Sequence, residues 1–315
     1  MIMLTSFHLN PEVTNPDTLF DAGDPMKMMG FQSLFEKCEV SGILFFNGNE
    51  KEKILQNIRK WPQQHESLRE RFVQMVGNSP RIVESNEKLD VDGHVQGEEQ
   101  DCRHFGCEEL FQISKFEQSK ISKKMTEYHQ GGIQLAETNP ERVVEIFNDF
   151  LRYSDDINYF DAVIGKIRHN MKPHYKESIL WVLKTWKEIR PTAKKFTIFT
   201  TVPHQLENIN DNNKIDEAEE ANEKKIQEVK RFIKQIENES GLRVRVYFKR
   251  DPHNRLHDRK LEHRYGIITL GMGLNLGRRG EERVGNHFRD NTINLAMHET
   301  AKKQIRDCKR LENYD

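Results

Sequence analysis

The sequence predicts an α/β domain in its C-terminal part, preceded by a mainly helical region. Three observations lead to this fold class. Apolar residues recur at three- and four-residue steps through residues 1–85, and residues 84–103 are polar without any period. From residue 136 onward, short apolar runs alternate with helical patterns, which is typical of α/β domains. We therefore predict a mainly helical region at 1–100, a linker at 101–135 and an α/β domain at 136–315.

Composition excludes several classes of protein. The formal net charge is −1, so a uniformly basic nucleic-acid binder is excluded and any anion site must come from local clustering of cations. The N-terminus does not resemble a secretion signal, and no window approaches 18 consecutive apolar residues, the length that a membrane span requires. These features predict a cytoplasmic protein without a transmembrane segment.

Cysteine usage predicts neither disulfides nor a metal site. The chain has 4 cysteines, which are too few and too scattered for a disulfide framework. Cys102 and Cys107 flank His104, but structural zinc needs a second pair of ligands at short spacing and none is present. We expect reduced thiols there, no metal and no cofactor.

The N-terminal region contains three helical patterns, the first in "GFQSLFEKC" at 30–38, and one ambiguous segment. The run "GILFF" at 42–46 fits a buried strand or the end of a helix, and five residues do not decide between them. A region of this kind could also dock a partner protein. The apolar positions that define the second helix are Ile54, Leu55, Ile58 and Trp61, and those that define the third are Leu68, Phe72, Val73 and Val76.

The C-terminal domain begins with a capped helix. Asn139 and Pro140 are a typical N-cap and first helical residue, and the helix that they start is expected to run through Leu151. The elements expected after it are a strand at 157–165, a helix at 174–190, the strand "KFTIFTTV", a charged helix at about 215–239 that Gly241 ends, and the strands "LRVRVYF" and "YGIITLGMGL".

A histidine, a carboxylate and cations lie between the last two of these strands, in "RLHDRKL" at 255–261. The order "KKFTIFTT", charged helix, "LRVRVYF", "LHDR" and "GIITLGMGLNLG" resembles the phospholipase-D-like domain. It is most similar to the module that follows microtubule-interacting-and-trafficking domains and to bacterial His-Asp-Arg relatives suspected of anti-phage defence. The resemblance covers residues 136–315 and implies a mixed sheet flanked by helices.

The resemblance also implies a phosphodiesterase site made of two half-sites, each with a histidine and a lysine two residues later. One histidine attacks phosphorus while the other protonates the leaving group. Here His257 matches the histidine and Arg259 the lysine, and His204 has no partner cation. The supporting Asp, Ser and Asn positions hold Arg264, Met272 and Leu274, Gly271 matches the glycine, and Asn275 lies one residue late.

Phosphate binding without turnover is therefore the predicted function, with nucleic acid favoured over lipid because no amphipathic anchor lies near the basic segment. Two alternatives remain: a metal-independent phosphodiesterase in which a homodimer pairs two copies of His257, and a protein–protein adaptor that has lost its ligand. His257 could also be a structural histidine in an ordinary turn. The predicted phosphate-binding residues are His257, Arg259, Lys260, Arg264, Asn275 and Arg278.

Overall fold

The computed structural model divides the chain into two compact units, Met3–Gln130 and Gly131–Asp315. We describe each unit by itself. The residues that the structure describes are 5–78, 82–85, 89–96, 105–129, 133–135, 138–168, 172–204, 212–271, 273–274, 276, 292–295 and 298–314.

The N-terminal unit is built on a parallel sheet of five strands in the order β3-β2-β1-β4-β5. Phe7 of β1 lies beside Leu44 of β2 on one side and beside Gly93 of β4 on the other. The strands are β1 (Thr5–Leu9), β2 (Gly42–Asn47), β3 (Ile82–Ser85), β4 (Leu89–Gln96) and β5 (Phe105–Gln112).

Helices cover the apolar side of this sheet. Phe7 and Phe46 belong to one buried cluster with Phe31, Phe72 and Phe116. The helices are α1 (Pro16–Leu19), α2 (Pro25–Ser41), α3 (Glu50–Arg59), α4 (Glu66–Asn78) and α5 (Lys120–His129), with 3-10 turns at Pro11–Thr14, Gln63–His65 and Ile113–Gln118.

This unit corrects two of the expectations. The three helical patterns are confirmed as α2, α3 and α4, and "GILFF" is a strand, but the region contains a sheet that a mainly helical description misses. The linker expected at 101–135 instead includes β5 and α5, which belong to the N-terminal unit. Polar residues caused the error: Asp92 and His94 made β4 resemble a loop, yet both are buried.

The C-terminal unit contains a mixed sheet of seven strands in the order β6-β12-β11-β10-β7-β8-β9. Strands β7, β8 and β9 are parallel, while β10, β11, β12 and β6 continue the sheet in antiparallel fashion. The strands are β6 (Ile133–Gln134), β7 (Asp156–Phe160), β8 (Lys195–Thr201), β9 (Arg243–Lys249), β10 (Lys260–His263), β11 (Gly266–Leu270) and β12 (Thr292–Leu295).

Three of the four helices described in this unit follow the expected pattern closely, and α9 was not expected. Asn139 accepts a hydrogen bond from the backbone N–H of Glu141 and caps the helix that ends at Leu151, as predicted. Gly241 ends the long charged helix with a φ of +65°, a conformation that favours glycine. The helices are α6 (Pro140–Leu151), α7 (Lys172–Ile189), α8 (Asn212–Ser240) and α9 (His298–Arg310), with 3-10 turns at Ile164–Lys166 and Arg255–His257.

The fold class α/β is thus confirmed, with the second unit a mixed sheet flanked by helices. Three of its described strands, β6, β10 and β12, were not expected. The charged turn "RLHDRKL" passes directly into β10. Among the described residues, no helix combines the length and the apolar content that crossing a bilayer requires.

Close packing between α2 and the 3-10 turn at Ile113–Gln118 gives a test of the N-terminal unit. A Cβ atom at Gly30 would lie 2.0 Å from the carbonyl oxygen of Ile113, whereas a Cβ at Gly77 in α4 would meet no atom within 4 Å. We expect Gly30→Ala to lower the free energy of unfolding by about 1–3 kcal/mol, measured by urea denaturation. Gly77→Ala is the matched control and should leave stability unchanged or raise it by up to about 1 kcal/mol. Equal effects would contradict this packing.

Candidate functional site

The carboxyl ends of three parallel strands meet at one edge of the C-terminal sheet. Strand β7 ends before Asp161, β8 ends at Thr201 and β9 ends at Lys249. In open α/β sheets, ligands bind outside the carboxyl ends of the strands, so a ligand site is expected at this edge. We call it the carboxyl edge. The segment that follows β9 there, residues 250–258, we call the basic loop.

A buried aspartate fixes the basic loop. The carboxylate of Asp251, which is 1% exposed, accepts hydrogen bonds from the backbone N–H groups of Arg255 and Leu256, both at 2.8 Å. Asn254 has a φ of +53°, which asparagine tolerates better than most residues, and turns the chain into the 3-10 turn. The loop therefore has a defined conformation that backbone hydrogen bonds hold in place.

This loop directs basic side chains outward. His253, Arg255 and His257 are exposed, and the guanidinium of Arg250 lies 5.8 Å from the ring centre of Tyr314. Within the described residues, the imidazole of His257 makes no hydrogen bond, so the pairing with Asp258 that a structural histidine would use is not seen there. The exposed acid of the loop is Asp258.

Arg259, the residue in the lysine position, points into the protein. Its Nη1 atom donates to the carbonyl of Gly271 at 2.6 Å, and its Nε atom lies 3.5 Å from Oδ1 of Asp161. Only 19% of the side chain is exposed. Arg259 thus fastens the turn after β11 to the end of β7, a structural role that the sequence reasoning did not assign to it.

Asp161 is the centre of this fastening. It is completely buried and accepts hydrogen bonds from the hydroxyl of Tyr159 and from the backbone N–H of Val163. The Tyr159 hydroxyl in turn accepts from the backbone N–H of Leu274 at 2.6 Å. Gly273 has a φ of +66°, and a Cβ atom there would lie 2.5 Å from both Asp161 and Tyr159. Only glycine fits that position.

Burial raises the pKa of both Asp161 and Tyr159. Desolvation raises the pKa of the Asp161 carboxyl, and the Tyr159 hydrogen bond and the Arg259 charge oppose that rise. Desolvation, with the nearby Asp161 charge, also raises the pKa of Tyr159 well above its usual value. Tyr159 therefore remains a neutral hydroxyl that donates to Asp161.

Lys260 also differs from its predicted role. It is 4% exposed, and its Nζ atom donates to the carbonyl of Asp258 at 3.2 Å and lies 3.5 Å from the carboxylate of the same residue. Desolvation lowers the pKa of Lys260. Lys249 is similar, because it is buried and donates to the carbonyl of Leu311 at 2.8 Å. Neither ammonium group faces solvent as a phosphate ligand would require.

Arg264 lies at the opposite end of β10 from His257. Strand β10 pairs with β7 so that Lys260 lies beside Phe160 and Glu262 beside Asn158, which places Arg264 near the amino end of β7. The strand contributes roughly 13 Å of extended chain between them. The predicted set is therefore divided between two edges of the sheet.

Only some of the remaining predicted residues lie within the part of the chain that the structure describes. Asn275, Arg278 and Met272 lie outside the described residues, whereas Leu274 is buried in the turn after β11. His204 lies at the carboxyl edge, three residues after the end of β8. Its backbone N–H donates to Asn222 at 3.0 Å, its carbonyl accepts from Asn222 at 2.8 Å, and its side chain is exposed.

Sequence reasoning missed a buried polar cluster in the N-terminal unit. The Nδ1 atoms of His8 and His94 are 2.7 Å apart, so one ring donates to the other, and Nε2 of His8 lies 2.8 Å from the carboxylate of Glu50. Asp92 accepts from the backbone and the hydroxyl of Ser6. The alternating polar residues of "LDVDGHVQ" were the available signal for a strand with one polar face.

Neither thiol chemistry nor a metal centre is supported by the described part of the chain. Cys38 and Cys308 are buried and not in a disulfide, and desolvation raises the pKa of Cys308 to about 11. No group of three or more His, Cys, Asp and Glu side chains there is arranged to hold a metal ion. Cys102 and His104 lie outside the described residues.

Comparisons with protein-family models, with curated proteins and with solved structures found no match to this chain.

The buried pair of Asp161 and Arg259 makes stability depend on pH. Because the folded-state pKa of Asp161 is raised, its burial costs stability as the pH rises above about 4, where the unfolded carboxyl ionises. Removing the neighbouring guanidinium raises that pKa further. We expect Arg259→Gln to lower the free energy of unfolding by at least about 1 kcal/mol more at pH 7 than at pH 4.

Urea denaturation at the two pH values measures this difference. The control is Arg255→Gln, which alters an exposed side chain and should change stability little at either pH. Equal losses for Arg259→Gln at pH 4 and pH 7 would show that Asp161 does not depend on Arg259.

Proposed function

We propose that the C-terminal unit is a phospholipase-D-like module that binds a phosphodiester, with single-stranded nucleic acid as the favoured ligand. The ligand lies against the basic loop at the carboxyl edge, where His257 and Arg255 contact its phosphates. The observation that carries the proposal is the pair of backbone hydrogen bonds that the Asp251 carboxylate accepts from Arg255 and Leu256. These bonds hold a loop whose exposed side chains are mostly basic.

The direction of each cation distinguishes ligand residues from structural ones. Arg255 and His257 are exposed on the basic loop, so their donors are available to phosphate oxygens. Lys249 and Lys260 are turned inward, onto main-chain carbonyls. Arg259 shapes the site by holding the turn after β11 and exposes only a small part of its side chain.

Nucleic acid fits this surface better than a lipid does. The exposed basic groups on the loop are two imidazoles and two guanidinium groups, which suit a chain of phosphates. Tyr247 of β9, 36% exposed, and Tyr314 beside Arg250 are aromatic surfaces on which bases can stack. A role in bacterial anti-phage defence is supported by the family resemblance alone.

Binding is favoured over catalysis by the state of Arg259. In the resembled enzymes the cation two residues after the histidine holds the reacting phosphate, but here Nη1 and Nε of that residue face Gly271 and Asp161. Losing even one preorganised donor costs on the order of a hundredfold in rate. The module is therefore proposed as a binder with a degenerate site.

Replacing Arg255 tests the proposed surface. We expect Arg255→Gln to weaken the binding of a fluorescently labelled 12-nucleotide DNA strand at least about tenfold, because a charge-assisted hydrogen bond contributes about 1.5–3 kcal/mol. The slope of log affinity against log salt concentration should fall by about 0.7, the value for one phosphate contact on a single strand. Fluorescence anisotropy at several salt concentrations measures both quantities.

The matched control is Arg264→Gln, which removes the same charge at the other end of β10. It should leave both the affinity and the salt slope unchanged. Identical losses from the two variants would mean that only net charge matters, and the proposed surface would be rejected. Cleavage of the strand in excess chelator, abolished by His257→Ala, would instead identify a metal-independent phosphodiesterase.

A further inference from the structure

A polar cleft of about 500 Å³ lies at the opposite edge of the C-terminal sheet from the basic loop. The start of β7, the end of β10 and the end of α9 line it, through residues that include Asp156, Arg264 and Lys309. Its volume is within the range of about 300–1,000 Å³ that is typical of small-molecule sites. The cleft is therefore large enough for one small ligand, and it is separate from the proposed phosphodiester surface.

Two of the three cations in the cleft are already paired. Nε of Arg190 donates to the carboxylate of Asp155 at 2.7 Å. Nζ of Lys309 donates to both carboxylate oxygens of Glu262, at 2.9 and 2.8 Å. Within each pair the positive and the negative charge neutralise each other. They do not provide a charge for a ligand.

Arg264 is the third cation, and its environment is different. Its guanidinium lies 5.4 Å from the ring centre of Tyr265 and is exposed. Among the described residues, no carboxylate pairs with it. An arginine oriented by an aromatic ring keeps its N–H donors available, which suits a phosphate or a carboxylate.

A carboxylate in the same cleft supplies the opposite chemistry. Asp156 is exposed, and within the described part of the chain its carboxylate has no hydrogen-bond donor or cation. Tyr153 also lines the cleft, with the buried His263, whose Nδ1 accepts from the backbone N–H of Tyr265. The cleft thus combines an available cation, an available carboxylate and aromatic walls.

We propose that this cleft binds a nucleoside monophosphate whose base carries an exocyclic amino group. The phosphate pairs with Arg264, and the amino group donates to the carboxylate of Asp156. The aromatic side chains of Tyr153 and Tyr265 line the space for the base. This site does not rest on the proposed phosphodiester surface, because the two share no residue.

Isothermal titration of the full chain with AMP, UMP and inorganic phosphate tests the proposal. AMP should bind at least about tenfold more tightly than UMP, which lacks the amino group, and more tightly than phosphate. Arg264→Gln should weaken AMP binding by at least about tenfold. Asp156→Ala should abolish the preference for AMP over UMP while UMP affinity remains, because the two nucleotides share the phosphate contact.

The matched control is Arg255→Gln in the basic loop, which should leave AMP affinity unchanged while it weakens binding of the DNA strand. Loss of AMP binding in Arg255→Gln, with none in Arg264→Gln, would overturn the assignment of the cleft. No AMP binding at millimolar concentration would also overturn it, as would equal affinities for AMP and inorganic phosphate. Circular dichroism confirms that each variant is folded before its titration is interpreted.

Discussion

The architecture of the C-terminal unit depends on one buried carboxylate, Asp161, at the end of β7. Its oxygens accept from Tyr159 and Val163, and the Arg259 guanidinium lies beside it. Through Tyr159 the same group also holds the turn at Leu274. A buried charge is costly unless it is paired and hydrogen-bonded, so this carboxylate requires its partners to remain in place. That requirement explains why Arg259 serves the fold.

The two edges of the sheet consequently have different chemistry. At the carboxyl edge, Asp251 holds a loop that exposes Arg255 and His257. At the other edge, Arg264 and Asp156 face a cleft whose remaining charges are paired. The two proposed sites lie at opposite ends of β10 and share no side chain. The family resemblance predicted one phosphate site, whereas we propose two sites for different phosphate-bearing ligands.

Sequence patterns predicted helices α6, α7 and α8 of the C-terminal unit well because the signals for these helices are local. Asn139 caps α6 and Gly241 ends α8 through contacts within a few residues, so neither depends on the rest of the fold. The N-terminal sheet depends on distant contacts instead. The buried Asp92 accepts hydrogen bonds from Ser6, across 86 residues of sequence. The inward direction of Arg259 is a tertiary property of the same kind, invisible in the motif.

Phosphodiester binding at the carboxyl edge is tested most directly by the response of the histidine side chains to a short single-stranded oligonucleotide without terminal phosphates. Long-range 1H–15N spectra record each imidazole separately. If the phosphodiester binds at the carboxyl edge, the signals of His257 and His253 in the basic loop shift on binding, whereas those of the buried His8 and His94 do not. Saturating oligonucleotide that leaves His253 and His257 unchanged would contradict phosphodiester binding at the carboxyl edge.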